Sequence, residues 1–166
     1  HDQEWGKPIY DDETIFEFLI LESFQAGLSW YTILAKRENF RAAFDQFDYQ
    51  KIAQYSEGKV EELIQNAGII RNRLKILATI NNAQKFMEVQ KEFGSFSKYI
   101  WGFVNHEPII NRPKTLKEVP ATTEISDALA KDLKKRGFKF MGSTVVYAHM
   151  QATGLVDDHV TECWVK

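Results

Sequence analysis

An all-α fold is predicted by three observations on this chain. Apolar residues recur at helical spacing through most of its 166 residues, no segment alternates apolar and polar side chains as a half-buried strand does, and glycines interrupt or end the helical patterns. Hydrophobic residues are 44% and aromatics 13%, ample for a packed interior, and the length fits one domain, residues 1–166, folded as two lobes around a shared core.

The helices follow in order. Asp11 or Asp12 can cap a helix that runs to about Phe24. Ser29 to Phe44 carries Trp30, Ile33 and Leu34 on one face, with Arg37, Glu38 and Arg41 left for solvent. Tyr49 to Tyr55 and Lys59 to Gln65 read as two short helices. Gly68 precedes a long helix from about Arg71 to Phe93, which Gly94 ends. Ser95 to Val104 is short and helical, and Asn105 to Pro120, with three prolines, is the one long loop. Helix resumes near Thr123 and stops at Gly137, runs again from about Ser143 to Thr153, and closes with a short segment from Asp157 or Asp158. No repeat or low-complexity tract interrupts this order.

One polar residue stands out. Glu22 lies inside the apolar run Leu19 to Trp30 and shares a helical face with Ile15, Phe18 and Leu19. Burying a carboxylate without a partner is costly, so the group either finds donors or takes up a proton. Position alone leaves Glu22 between a satisfied core carboxylate and a functional group.

The net charge of −2 does not advertise an anionic partner, but charge distribution decides local fields. Lys131, Lys134, Lys135, Arg136 and Lys139 face a single acid, Asp132, a local +4. The bland account is a solvated helix end, where lysines suit the dipole. The basic run leads into Lys134–Gln151, which reads as helix, a tight turn with Gly137 and Gly142, and helix. Such a hairpin lets backbone approach another molecule, and the second helix offers unpaired N–H groups to an anion such as a phosphodiester. An ordinary helical hairpin whose glycines merely close the turn remains open.

Metal chemistry is a further candidate. His159 and Cys163 stand four apart, so on a helix they project from one face, and imidazole plus thiolate suits zinc. His1 can supply a third ligand from the other chain end; the alternative is a surface histidine beside a buried thiol. His106 and His149 have no comparable partners and suit packing or hydrogen bonding. The single cysteine excludes an internal disulfide and fits a reducing compartment, and no apolar run approaches the length of a membrane span.

Taken together, HDQEWG (His1–Gly6), LESFQAGLSW (Leu21–Trp30), KRENFRAAFDQFD (Lys36–Asp48), NAGIIRNRLKI (Asn66–Ile76), FVNHEP (Phe103–Pro108), the run from Ser126 to Leu155 and VDDHVTEC (Val156–Cys163) closely resemble the bacterial 3-methyladenine DNA glycosylase I family of the helix-hairpin-helix superfamily. The resemblance implies a two-lobed α-helical fold with a base-binding cleft. It implies a monofunctional glycosylase that excises 3-methyladenine from double-stranded DNA, acting as a monomer in the bacterial cytoplasm. Glu22 would hydrogen-bond the flipped base, with Trp30 and Trp5 as aromatic walls. Gly27 and Leu28 would plug the gap in the duplex. Lys134, Lys135, Arg136 and the turn from Gly137 through Lys139, Gly142 and Ser143 to Thr144 would meet the phosphates. His1, His159 and Cys163 would ligate a structural zinc ion, whose fourth ligand, a cysteine, is expected upstream of His1 together with a tyrosine that stacks on the base. Asp157 stands where many superfamily relatives carry a catalytic aspartate and 3-methyladenine enzymes often carry asparagine; it can assist the sugar or cap the last helix. Free 3-methyladenine is the expected product ligand. The competing functions are a non-catalytic helix-hairpin-helix DNA-binding module, which would keep the hairpin and lose the pocket, and a zinc-stabilised protein-interaction domain.

Overall fold

A computed structural model describes residues 7–25, 30–115 and 118–158; the side chain of Trp30 is not among the described groups. Helix α1 (Asp12–Gln25) is the axis of the molecule, and every side chain from Ile15 to Phe24 is buried. Helix α2 (Trp30–Ala35) and α3 (Arg37–Ala43) follow, then a 3-10 turn at Asp45–Phe47 and the short helices α4 (Tyr49–Ile52) and α5 (Glu57–Ile64). The long α6 (Arg73–Phe93) ends at Gly94, whose φ of 92° is open to glycine at little cost, and α7 (Phe96–Trp101) runs into a 3-10 turn at Gly102–Val104. Helices α8 (Glu124–Lys135) and α9 (Ser143–Ala152) form the hairpin.

The core gathers on α1, which packs against α2, α6, α7 and α9, while α8 packs on α9. Phe16 meets Phe86 edge-on at 5.0 Å, and Phe24 meets Phe40 at 5.0 Å, so aromatic pairs lock α1 to both α6 and α3. The two aspartates at the start of α1 divide the capping work. Asp11 accepts the Thr14 N–H at 2.9 Å, whereas Asp12 accepts the Phe96 and Ser97 N–H groups, both at 2.9 Å, and caps α7 from a distant part of the chain. His149 of α9, 1% exposed, lies 3.1 Å through Nε2 from the Ile15 carbonyl. Burial lowers its pKa to about 4, so the ring is neutral and Nε2–H is the donor.

Three expectations are corrected. The predicted helix from Ser29 to Phe44 is two helices that part at Lys36 (φ −101°, ψ 1°). The chain also holds a parallel pair of two-residue strands, β1 (Ile109–Ile110) on β2 (Val156–Asp157), so Asp157 lies in a strand and not at the cap of a terminal helix. A ladder this short has no periodicity to read, and its pairing depends on chain remote in sequence. Finally, Arg37 and Arg41 do not simply face solvent: both donate through Nε to Glu17 of α1, at 2.7 and 2.8 Å.

Candidate active site

Glu22 sits in the last turn of α1 and is 3% exposed. Among the described residues no hydrogen-bond donor reaches its carboxyl. Burial alone lifts its pKa from the ordinary 4.5 to about 8, so the acid carries a proton at neutral pH in the free protein. Its position near the helix C-terminus adds to the pressure against negative charge, because the unpaired carbonyls there point the wrong way. Glu17, five residues earlier on the same helix, shows the alternative. It is nearly as buried, yet it is held by Arg37 and Arg41, and Arg37 in turn lies 5.1 Å over the Phe18 ring. One buried carboxyl on α1 is therefore satisfied internally, and the other meets no donor among the described residues. That contrast separates function from packing more sharply than the helical face does, since α1 is buried all round.

The end of α1 has an unusual cap. It has no basic residue in its last turn, and Lys75 of α6 supplies one instead, reaching the Phe24 carbonyl at 3.3 Å. Burial lowers the Lys75 pKa. The loop that follows, with Gly27 and Leu28, lies outside the described residues, as do Trp5 and the side chain of Trp30; the backbone of Trp30 begins α2.

The hairpin is built by matched end signals. Thr123 and Ser126 form a reciprocal capping box at the start of α8, and Leu129, Ala130 and Leu133 bury its inner face. Gly137 turns the chain at φ 97°, Phe138 and Met141 drop back into the core, and α9 starts after Gly142. The turn is pinned from α6. Asn82 donates to the Lys139 carbonyl and accepts the Lys139 N–H, both at 2.9 Å, and Asn81 donates to the Gly137 carbonyl at 2.8 Å. These asparagines escaped the sequence reading. The available signal was two consecutive amides inside a long helix, where such residues compete with the backbone unless something else engages them.

Lys131, Lys134, Lys135, Lys139 and Thr144 are exposed along the hairpin, and a cleft of about 650 Å³ opens between Lys131, Lys134 and the turn. Arg136 differs from this group. It donates to Asp132 at 2.7 Å and to both oxygens of Glu92 at 3.0 and 3.2 Å, and it lies 5.1 Å from the ring centres of Phe93 and Tyr99. These pairs use three of its five N–H donors and tie α8 to α6, so Arg136 braces the two helices as well as adding positive charge beside the turn. Ser143 is similarly occupied, with Asp127 at 2.6 Å and Ser126 at 2.8 Å.

Asp157 is paired with Arg112 at 3.1 Å. Its neighbour Asp158 is 7% exposed and accepts from Asn111 at 2.6 Å, from Gln151 at 3.1 Å and from the Tyr147 hydroxyl. Among the described residues no group of histidine, cysteine, aspartate and glutamate could hold a metal ion; His1, His159 and Cys163 lie outside them. The residues bordering the two ends do converge, since the Ile9 N–H donates to the Thr153 carbonyl at 2.9 Å.

A mainly helical protein, with a buried acid that meets no donor among the described residues and a lysine-edged helical hairpin, fits the helix-hairpin-helix class of fold. The comparisons with known proteins narrow this. The model of the methyladenine glycosylase family matches residues 1–166, and the chain belongs to that family. It is 53% identical over 163 residues to DNA-3-methyladenine glycosylase 1 of Escherichia coli (strain K12), covering 98% of this chain and 87% of the relative. To DNA-3-methyladenine glycosylase of Haemophilus influenzae it is 51% identical over 166 residues, covering 100% and 90%. The solved structure of 3-methyladenine DNA glycosylase I from Staphylococcus aureus, which addresses 3-methyladenine recognition, superposes with a TM-score of 0.97 at 38% identity, covering 100% of this chain and 88% of that one.

Proposed function

We propose that the protein is a monofunctional DNA glycosylase, acting as a monomer, that excises 3-methyladenine from alkylated double-stranded DNA. The observation that carries this is the Glu22 carboxyl, buried on the central helix with no donor among the described residues. The family membership says which ligand suits such a group. In DNA a 3-methylated adenine is cationic, so its glycosidic bond is already weakened and flipping costs less than for an intact pair. A site for such a base needs aromatic faces and an acceptor more than it needs an acid catalyst.

Glu22 is assigned the acceptor role, with Trp30 and Trp5 as walls and Gly27 and Leu28 filling the space the nucleotide leaves. The cation itself draws the proton off Glu22, because an opposite charge in a dry site lowers a carboxyl pKa. Neutral adenine offers no such compensation and leaves the acid protonated, which gives discrimination. The bond between the anomeric carbon and the purine nitrogen breaks with its electron pair leaving on the base, which departs as neutral 3-methyladenine. Water adds to the sugar cation and loses a proton. The sequence motifs nominate no lysine for attack on the sugar, so strand cleavage is not expected. Lys134, Lys135, Lys139 and the backbone from Gly137 to Thr144 hold the phosphates.

An excision assay on methylated DNA tests this. Release of free 3-methyladenine by the wild type is expected, together with a loss of about 100-fold or more in Glu22→Gln. No release by the wild type would end the proposal, and undiminished release by Glu22→Gln would end the role of Glu22. Tryptophan fluorescence on titration with 3-methyladenine separates an enzyme from a non-catalytic DNA-binding module, since only a formed pocket responds.

A structural zinc ion held by His1, His159, Cys163 and one further ligand is part of the same proposal. The convergence of Ile9 with Thr153 supports it, because it brings the chain leading to each end together. The ion would tie the ends and supply no reaction step. Metal analysis of the purified protein tests it, with one zinc per chain expected.

A further inference from the structure

Phe140 occupies the hairpin turn in a way that packing does not explain. Its neighbours Phe138 and Met141 are 4% and 5% exposed, but Phe140 is 43% exposed and takes φ 60°, the left-handed region that bulky side chains rarely adopt. The clamp by Asn82 on both backbone groups of Lys139 fixes the chain just before it, so the left-handed step is imposed and glycine would make it without strain. The ring lines the 650 Å³ cleft beside Lys131, Lys134 and Lys139, whose side chains are all exposed. An outward aromatic ring set among cations suits a partner that presents anionic groups beside flat, weakly polar faces, as a nucleic-acid strand does.

We propose that Phe140 is a DNA-contact residue, its ring packing on a deoxyribose face of the bound strand while Lys131, Lys134 and Lys139 hold the flanking phosphates. The proposal rests on the reading of this protein as a DNA glycosylase. It adds to that reading an apolar contact outside the base pocket, made by a residue held in an unfavourable conformation for the purpose.

The test is Phe140→Gly, compared with wild type by thermal unfolding, by titration with undamaged duplex at several salt concentrations, and by titration with free 3-methyladenine. Glycine relieves the backbone strain, so the unfolding midpoint should hold or rise. Duplex affinity should fall about threefold to tenfold, the scale of one lost apolar contact, with the salt slope unchanged because no charge is removed. Lys134→Ala should instead flatten that slope by about one. Wild-type duplex affinity in a folded Phe140→Gly overturns the proposal, and so does an equal loss of duplex and free-base binding, which would mark a general defect. If the wild type releases no 3-methyladenine while Phe140→Gly still weakens duplex binding, the enzymatic reading fails and the Phe140 contact stands.

Discussion

Glu22 and Glu17 are two carboxyls on one buried helix with opposite fates, and each has a measurable consequence. The Glu22 pKa is higher in the folded protein, about 8, than in the unfolded chain, 4.5, so the folded state binds the extra proton between these values. The stability this proton contributes is fully present below about pH 4.5 and is lost as pH rises toward 8. The difference in unfolding free energy between Glu22→Gln and wild type should therefore be small at pH 4.5 and grow in favour of the variant to roughly 3–5 kcal/mol by pH 8–9. Matched denaturant titrations check this, and a pH-independent difference would contradict it. The same ionisation should appear in catalysis: kcat/KM on DNA containing the cationic lesion should rise with pH through a midpoint near 8, level off above it, and lose that limb in Glu22→Gln. Glu17 should behave as a structural residue. Glu17→Ala leaves Arg37 and Arg41 facing each other in a partly buried site and should cost about 3 kcal/mol, read from urea unfolding.

At the scale of elements, the hairpin depends on α6 as much as on its own two helices. Asn82 is 1% exposed and satisfies both backbone groups of Lys139. Asn82→Ala leaves those groups without their partner and should cost about 2 kcal/mol. The loss should be local, with faster amide exchange at Lys139 and weaker duplex binding but unchanged affinity for free 3-methyladenine; an equal loss of both ligands would contradict this. Lys75 acts likewise on α1, as a cation borrowed from α6 to hold the Phe24 carbonyl ahead of the loop with Gly27 and Leu28. These contacts join residues about fifty positions apart, so periodicity and capping signals could not reveal them. Most helix ends were legible, because Asp11, Ser95, Thr123, Gly94 and Gly137 are local signals that act within one turn, whereas the start of α6 falls after Asn72, two residues beyond the expected Arg71.

Across the whole molecule, the first described residues, Lys7 and Pro8, meet the chain after α9 at Gly154. Its φ is 78°, and a Cβ there would lie 2.4 Å from the Lys7 carbonyl carbon and the Pro8 nitrogen. Gly154→Ala should cost about 2–4 kcal/mol through strain and overlap, and should loosen the Ile9–Thr153 contact, as measured by thermal unfolding and exchange at Ile9. If zinc ties the same ends, a chelator should lower the wild-type midpoint, and Gly154→Ala should sharpen that sensitivity.

By itself the sequence determined an all-α chain, the order of its helices, the location of the hairpin and the family to which it belongs, because helical period, caps and long motifs are written locally. It also singled out Glu22. Only the tertiary structure decided that Glu22 lacks the partners Glu17 has, that Arg136 is held by Asp132 and Glu92, that Asp157 lies in a strand, and that Phe140 points outward. Each of those depends on which groups meet across the fold. The energy of a buried charge or a strained turn is set by such neighbours, and their sequence positions do not reveal them.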